Sequence, residues 1–336
     1  MAEPFDPIPE PMLAKPVAAI PDDAGYSFEP KWDGFRAIVA VSPSGEVEIG
    51  SRGSKPLTRY FPELVAEFSA QLSPGTVVDG EIVVRTGERL AWEALSQRIH
   101  PAESRIRKLS EETPASFIGF DLLAEGGTSL MDAPFAERRS ALERVMGPAR
   151  APLHLSQTTR DATLARRWLV EFEGAGLDGV IAKQLDSTYQ PGKRVFLKIK
   201  HSRTADVVLI AYRVHKSGQG VGSLLLGLYT DAGELVPVGG ASAFSNARRL
   251  ELIDELAPLV TGTGEGERSR FSSSKDVSFI TLRPERVLEV KYDQMEGYRF
   301  RHAVQFVRWR DDRDPRSCTY DQLEVPDTYD VSRLLS

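Results

Sequence analysis

The sequence predicts an α+β protein in two parts. Residues 1–200 form a mixed, largely antiparallel domain and residues 201–336 a small closed β-barrel. Three observations carry this. Strand and helix signals mix between residues 26 and 200 without the regular alternation of a doubly wound sheet. The texture changes after His201-Ser202-Arg203-Thr204. Beyond it, five strand-like runs and a single helical stretch follow, the pattern of an OB-type barrel.

In chain order, Arg36 to Val41 and Glu46 to Arg52 flank Ser42-Pro43-Ser44-Gly45 and read as a hairpin. Pro62 to Leu72 has helical spacing, with proline at a tolerated first-turn position. Thr76 to Val84, Ser116 to Leu123, Asp178 to Gln184 and Arg194 to Lys200 are β-branched or apolar runs bounded by Gly, Pro or Asp. Ala136 to Met146 and Asp161 to Glu173 read as amphipathic helices. The five later runs are Asp206 to Val214, Ser223 to Tyr229, Glu234 to Gly240, Arg286 to Met295 and Ala303 to Arg310, and the helix is Asn246 to Leu259.

Composition bounds the class. The 336 residues carry a net charge of −6, so a nucleic-acid reader would have to gather its cations locally. Cys318 is the single cysteine, which excludes an internal disulfide and any Cys-rich zinc module. No apolar run approaches the roughly 18 residues of a membrane span. Met1 to Pro16 is Pro-rich and acidic and lacks a secretory pattern. A cytoplasmic protein without membrane contact is the expectation.

The most informative segment is Glu29-Pro30-Lys31-Trp32-Asp33-Gly34-Phe35-Arg36, which runs into an apolar strand. It sets an amine at a strand mouth with a cation at fixed reach, an arrangement suited to a lysine nucleophile attacking a phosphate. Taken alone, it equally fits a surface loop with an Asp-Gly turn. Asp79-Gly80-Glu81 places two carboxylates on one face of an apolar strand. Buried carboxylates are costly without a partner, so a ribose contact or a metal ligand is the economical explanation, and a turn at a strand entry the plain one. Lys198 and Lys200 share a strand face and could stabilise developing phosphate charge, or serve as ordinary edge lysines. Arg299 to Arg316 holds six arginines against three aspartates, which suits phosphate contacts.

Together these motifs resemble the ATP-dependent DNA ligases of the covalent nucleotidyltransferase superfamily. The resemblance spans about Glu29 to Arg313 and is greatest to the small bacterial, actinobacterial ligase C type. It implies a nucleotidyltransferase domain followed by an OB-fold domain, and sealing of nicks through lysyl-AMP and an adenylated 5′-phosphate. Lys31 would be the nucleophile. Arg36 would hold a phosphate, and Asp33 would orient the nick terminus or the lysine. Arg52 would bind the 5′-phosphate side of the nick, Glu81 the ribose or a metal, and Phe120 would stack on adenine. Lys198 and Lys200 would hold the α-phosphate. Glu29, beside the lysine, joins the nucleotide site. Asp178 stands where the family more often has Glu, one methylene longer, as a metal ligand. In Arg308-Trp309-Arg310-Asp311-Asp312-Arg313, which usually ends Asp-Lys, Arg310, Asp312 and Arg313 would cover ATP and orient pyrophosphate. The implied cofactors are ATP and Mg²⁺ or Mn²⁺. The implied partner is nicked double-stranded DNA, met by a monomer working beside other DNA repair proteins.

Thirty residues precede Lys31, too few for the domain with which NAD-dependent ligases capture nicotinamide, so ATP is the expected donor. An mRNA-capping guanylyltransferase and an RNA ligase share the lysine motif and the lysine pair. A silent DNA-end scaffold is the reading of another class, and an intact Lys31 argues against it.

Overall fold

The computed structural model describes residues 8–53, 55–265 and 278–335. The chain divides into two compact units, residues 1–200 with 326–336, and residues 201–325.

The first unit is built on two sheets. A seven-stranded sheet runs Val47–Ser51, Phe35–Val41, Val77–Thr86, Ala115–Glu125 and Thr128–Ser129, with Arg89–Leu90 and Leu153–Leu155 joining its flanks. Its long strands pair antiparallel, and only Leu153–Leu155 runs parallel to its neighbour. Helices Pro62–Gln71 and Phe135–Met146 cover one face and bury Leu64, Phe68, Leu142 and Met146 with Phe61 and Phe117. The second sheet orders Leu13–Pro16, Arg194–Ile199, Val180–Gln184 and Tyr26–Pro30, the first pair parallel and the others antiparallel. Helix Ala162–Glu171, capped by the Asp161 side chain accepting from Thr163 N, contributes Ala165 and Trp168 to the core beside this sheet.

The second unit carries the expected five strands as Arg203–Val214, Val221–Tyr229, Leu235–Ala241, Val287–Tyr292 and Gln305–Trp309. The register runs Leu235–Ala241, Val221–Tyr229, Arg203–Val214, Val287–Tyr292, Gln305–Trp309. A bridge between Ala241 and Val304, with Val304 N donating to Gly240 O at 3.0 Å, joins the two ends of that path. A closed barrel leaves these strands no free edge. Helix Asn246–Leu256 starts at Ser245, whose hydroxyl accepts from Arg248 N.

Three expectations need correction, and one pair of strands was not expected at all. The second unit does not run to residue 336, because Val331 and Leu334 are buried in the first unit's core with Phe172 and Leu177. Val331 N also donates to Glu88 O at 2.8 Å. The first barrel strand starts at Arg203, inside the stretch where the texture changes, rather than at Asp206. Asp178 precedes its strand, which begins at Val180. The hairpin strands Val260–Glu265 and Ser278–Leu282 went unpredicted because Thr-Gly repeats read as loop. Among the described residues no helix is long and apolar enough to cross a membrane.

Candidate active site

The segment around Lys31 is fixed by main-chain bonds before any side chain acts. Lys31 N donates to Gly179 O at 2.9 Å, and Asp178 N donates to Lys31 O at 3.0 Å. The loop carrying the lysine is thereby clasped to the loop carrying the aspartate. Two glycines let these loops approach the neighbouring strands. A Cβ on Gly34 would stand 2.0 Å from Ile82 O, and one on Gly179, at φ +128°, 2.0 Å from Ile199 O. Trp32 anchors the segment through its indole N–H to Ser156 Oγ at 3.0 Å.

The side chains converge on one cavity of about 220 Å³. Lys31, Arg36, Arg52, Glu81, Phe120, Asp178, Lys198 and Lys200 line it, as does Glu29, all expected from the sequence. Asp33 lies outside the lining. Seven cationic side chains face it against three carboxylates, an excess suited to a polyphosphate. Three of these cations are Arg52, Lys183 and Arg194. Arg52 makes no hydrogen bond or ion pair among the described residues and stands exposed at the rim.

Asp178 is the hub. Its Oδ2 meets Lys31 Nζ at 2.5 Å and Lys200 Nζ at 2.8 Å, while its buried Oδ1 has no hydrogen-bond partner. Lys198 Nζ is the third amine of this group. Burial and the neighbouring Lys31 and Lys200 charges push it below the usual lysine range. Arg36 lies opposite Glu81 in the strand register and grips Asp79 through Nε at 2.6 Å and Nη2 at 2.7 Å. Asp79 is fully buried and its oxygens are taken, so the ribose or metal role weighed for this carboxylate is corrected. The Arg36 guanidinium also stands 4.5 Å from the centre of the Phe120 ring.

Sequence reasoning passed over Lys183. It is almost fully buried, pairs with Glu29 Oε1 at 2.8 Å and donates to Phe120 O at 2.9 Å. The rings of Phe120, Phe135 and Phe196 surround its ammonium at 4.6, 4.8 and 4.9 Å. Burial lowers this amine and raises the Glu29 carboxyl. Lys183 stands in the same strand as Ile181, two residues along, so alternation was the signal that could have found it.

Glu81 accepts from Gly34 N at 3.0 Å. Burial pushes its carboxyl up to about 7, against the pull of Arg36, Lys31 and that N–H. The unfolded chain loses this proton near the ordinary value of 4.5. Stability from the neutral form is therefore complete below 4.5 and lost as pH rises to about 7. Glu81→Gln stays neutral throughout. Its unfolding free energy, followed by chemical denaturation, should gain on the parent's between acid pH and about pH 8 by on the order of 3 kcal/mol. A difference independent of pH would reject this reading.

Arg310, Asp312 and Arg313 belong to the second unit. Arg310 donates to both Asp206 oxygens at 3.0 and 3.1 Å and to both Asp312 oxygens at 2.8 and 2.9 Å. Arg313 Nε lies 3.7 Å from Asp206 Oδ2. The arginine-rich ending is thus an ordered network rather than a loose charged end.

A family model described as "ATP dependent DNA ligase domain" matches residues 11–200, and one described as "ATP dependent DNA ligase C terminal region" matches residues 217–313. The chain belongs to the ATP-dependent DNA ligases, which seal nicks in duplex DNA through a lysyl-AMP intermediate and an adenylated 5′-phosphate. Within that family it is 54% identical to DNA ligase C of Mycobacterium tuberculosis, across 100% of this chain and 99% of that protein. It is 53% identical to DNA ligase C1 of Mycolicibacterium smegmatis, across 99% of this chain and 98% of that protein. A solved structure titled as a structure-function analysis of Lig E DNA ligases covers 90% of this chain and 100% of its own, at a TM-score of 0.58 and 17% identity, a likeness of fold alone.

Proposed function

We propose that Lys31 is the nucleophile of this ligase, working in the cavity where Asp178, Lys198 and Lys200 gather around it. The observation that carries this is the Asp178 hub, which holds two amines through one oxygen. An ammonium has no lone pair to attack with, so the reaction requires Lys31 to give up a proton and to leave this contact for the phosphorus. A triphosphate in the cavity supplies the competing anion. Lys200, freed from Asp178, and Lys198 then stabilise charge on the α-phosphate, as positioned cations do in phosphoryl transfer. Arg36 holds a phosphate with its planar fork, Arg52 meets the nick's 5′-phosphate at the rim, and Phe120 stacks on adenine. Asp33 orients the nick terminus or the lysine. Arg310, Asp312 and Arg313 orient pyrophosphate while the lysine adenylate forms.

The residues fit Mg²⁺ or Mn²⁺. Among the described residues no cluster of three or more His, Cys, Asp or Glu exists, and magnesium is commonly held by one or two carboxylates plus water and substrate phosphate. The unpartnered Oδ1 of Asp178, with Glu81, is such a donor set. A bound ion would neutralise phosphate charge there. The protein acts as a monomer on nicked duplex DNA in the cytoplasm, as a DNA repair enzyme.

Intact mass measurement after incubation with ATP and magnesium tests the reading. One AMP should be added per chain, with none from GTP and none in excess chelator. Labelling by GTP would favour the capping reading, and undiminished labelling in chelator would remove the metal.

A further inference from the structure

We infer that Tyr189 is a positioning residue for the ligase reaction, acting through Asp79 on Arg36. Tyr189 lies in the loop between strands Val180–Gln184 and Arg194–Ile199, 4% exposed. Its hydroxyl accepts from Met12 N at 2.9 Å and donates to Asp79 Oδ2 at 2.6 Å. The first bond fixes where the second proton points. Asp79 Oδ2 also receives Arg36 Nη2, and the same Nη2 reaches Met12 O at 3.3 Å. One hydroxyl therefore ties together segments remote in sequence, Met12, Arg36, Asp79 and Tyr189 itself.

The consequence reaches the cavity from two sides. Arg36 is part of its lining, and so are Leu13 and Ala14, the residues that follow Met12. Without the hydroxyl, Asp79 turns on Arg36 alone, the Met12 N–H is buried without a partner, and both walls are released together. A buried N–H left unpaired is costly enough to move its segment. Tyr189 touches no substrate in this account. Its effect runs wholly through the arginine and the Met12 wall.

The inference rests on the reading of Arg36 as a phosphate-holding group, and a double-mutant cycle separates the two. Tyr189→Phe, Arg36→Lys and the pair are compared in single-turnover self-adenylation and in sealing of a pre-adenylated nick, with KM for ATP measured alongside. Tyr189→Phe should slow the step that Arg36 serves by about 10- to 100-fold, because a displacement of about 1 Å in a positioning group has that effect. In the Arg36→Lys background the same change should cost less than about threefold, since coupled residues are not additive. Losses that simply multiply while Arg36→Lys is itself impaired would overturn the role of Tyr189 and leave Arg36 standing. A fully active Arg36→Lys protein would overturn both. If Tyr189→Phe folds poorly, the same cycle is run at low temperature with an excluded osmolyte, which favours the folded state. Non-additive losses support the inference there, and multiplying losses overturn it.

Discussion

Lys31→Ala should lose self-adenylation entirely yet still seal a nick whose 5′-phosphate already carries AMP. The main-chain clasp of Lys31 to Gly179 and Asp178 uses N–H and C=O groups that alanine keeps, so the loop stays in place. What is lost is the amine. Joining a pre-adenylated nick needs no enzyme nucleophile, because the DNA 3′-hydroxyl attacks and AMP leaves. The expected contrast is loss of detectable AMP in one assay, at least about 10⁴-fold given what removal of a covalent nucleophile does to kcat, against a modest change in the other. AMP on the Lys31→Ala protein would transfer the nucleophile elsewhere. Asp312→Ala with Arg313→Ala should share this profile in weaker form. If those arginines mainly grip DNA phosphate instead, self-adenylation stays normal and nick affinity falls with a shallower salt dependence.

Asp178→Asn should follow closely in size. The carboxylate is the shared partner of Lys31 and Lys200, and it is nearly fully buried, so the lysines have little water to replace it. Asparagine preserves shape and the main-chain bond to Lys31 O, yet offers one neutral oxygen and two N–H donors that repel ammonium. Two amines then lose their common anchor and the cavity gains uncompensated positive charge. ATP should bind about as well as before or better, while self-adenylation falls by about 10²- to 10³-fold, the range typical of losing one preorganised electrostatic group. A variant within tenfold of the parent would remove Asp178 from the mechanism.

Much of this was legible in the chain. The hairpin around Ser42 to Gly45 and the five barrel strands were readable because their turn residues and alternation agree with their tertiary setting. Helix Glu103–Glu112 escaped because only Ile106 and Leu109 are buried in an otherwise charged run. The return of Val331 and Leu334 to the first unit was invisible, since nothing local says which of two cores an apolar pair joins. In the site, Glu29, Lys31, Arg36, Arg52, Glu81, Phe120, Asp178, Lys198 and Lys200 met in one cavity because the sheets bring together strand ends, loops and the mid-strand positions Glu81 and Phe120, while Asp33 stays outside the lining. Lys183 and Tyr189 were missed for a common reason. Each looks like a routine member of its strand or loop, and its partners, Glu29 and Phe120 for one, Met12 and Asp79 for the other, lie far away in sequence.

The return of residues 326–336 makes the barrel unit an insertion. Chain that enters it at His201 must come back, so the barrel is held by two covalent leashes rather than hung from one. Anyone trimming the chain to isolate the first unit by stopping at Lys200 would strip Val331 and Leu334 from around Phe172 and leave an apolar scar on the piece meant to stand alone. The clean excision joins residue 200 to residue 326 through a short linker. By the same logic, a bulky fusion placed directly after Leu335 presses on the nucleotidyltransferase unit, not on the barrel that precedes it in sequence.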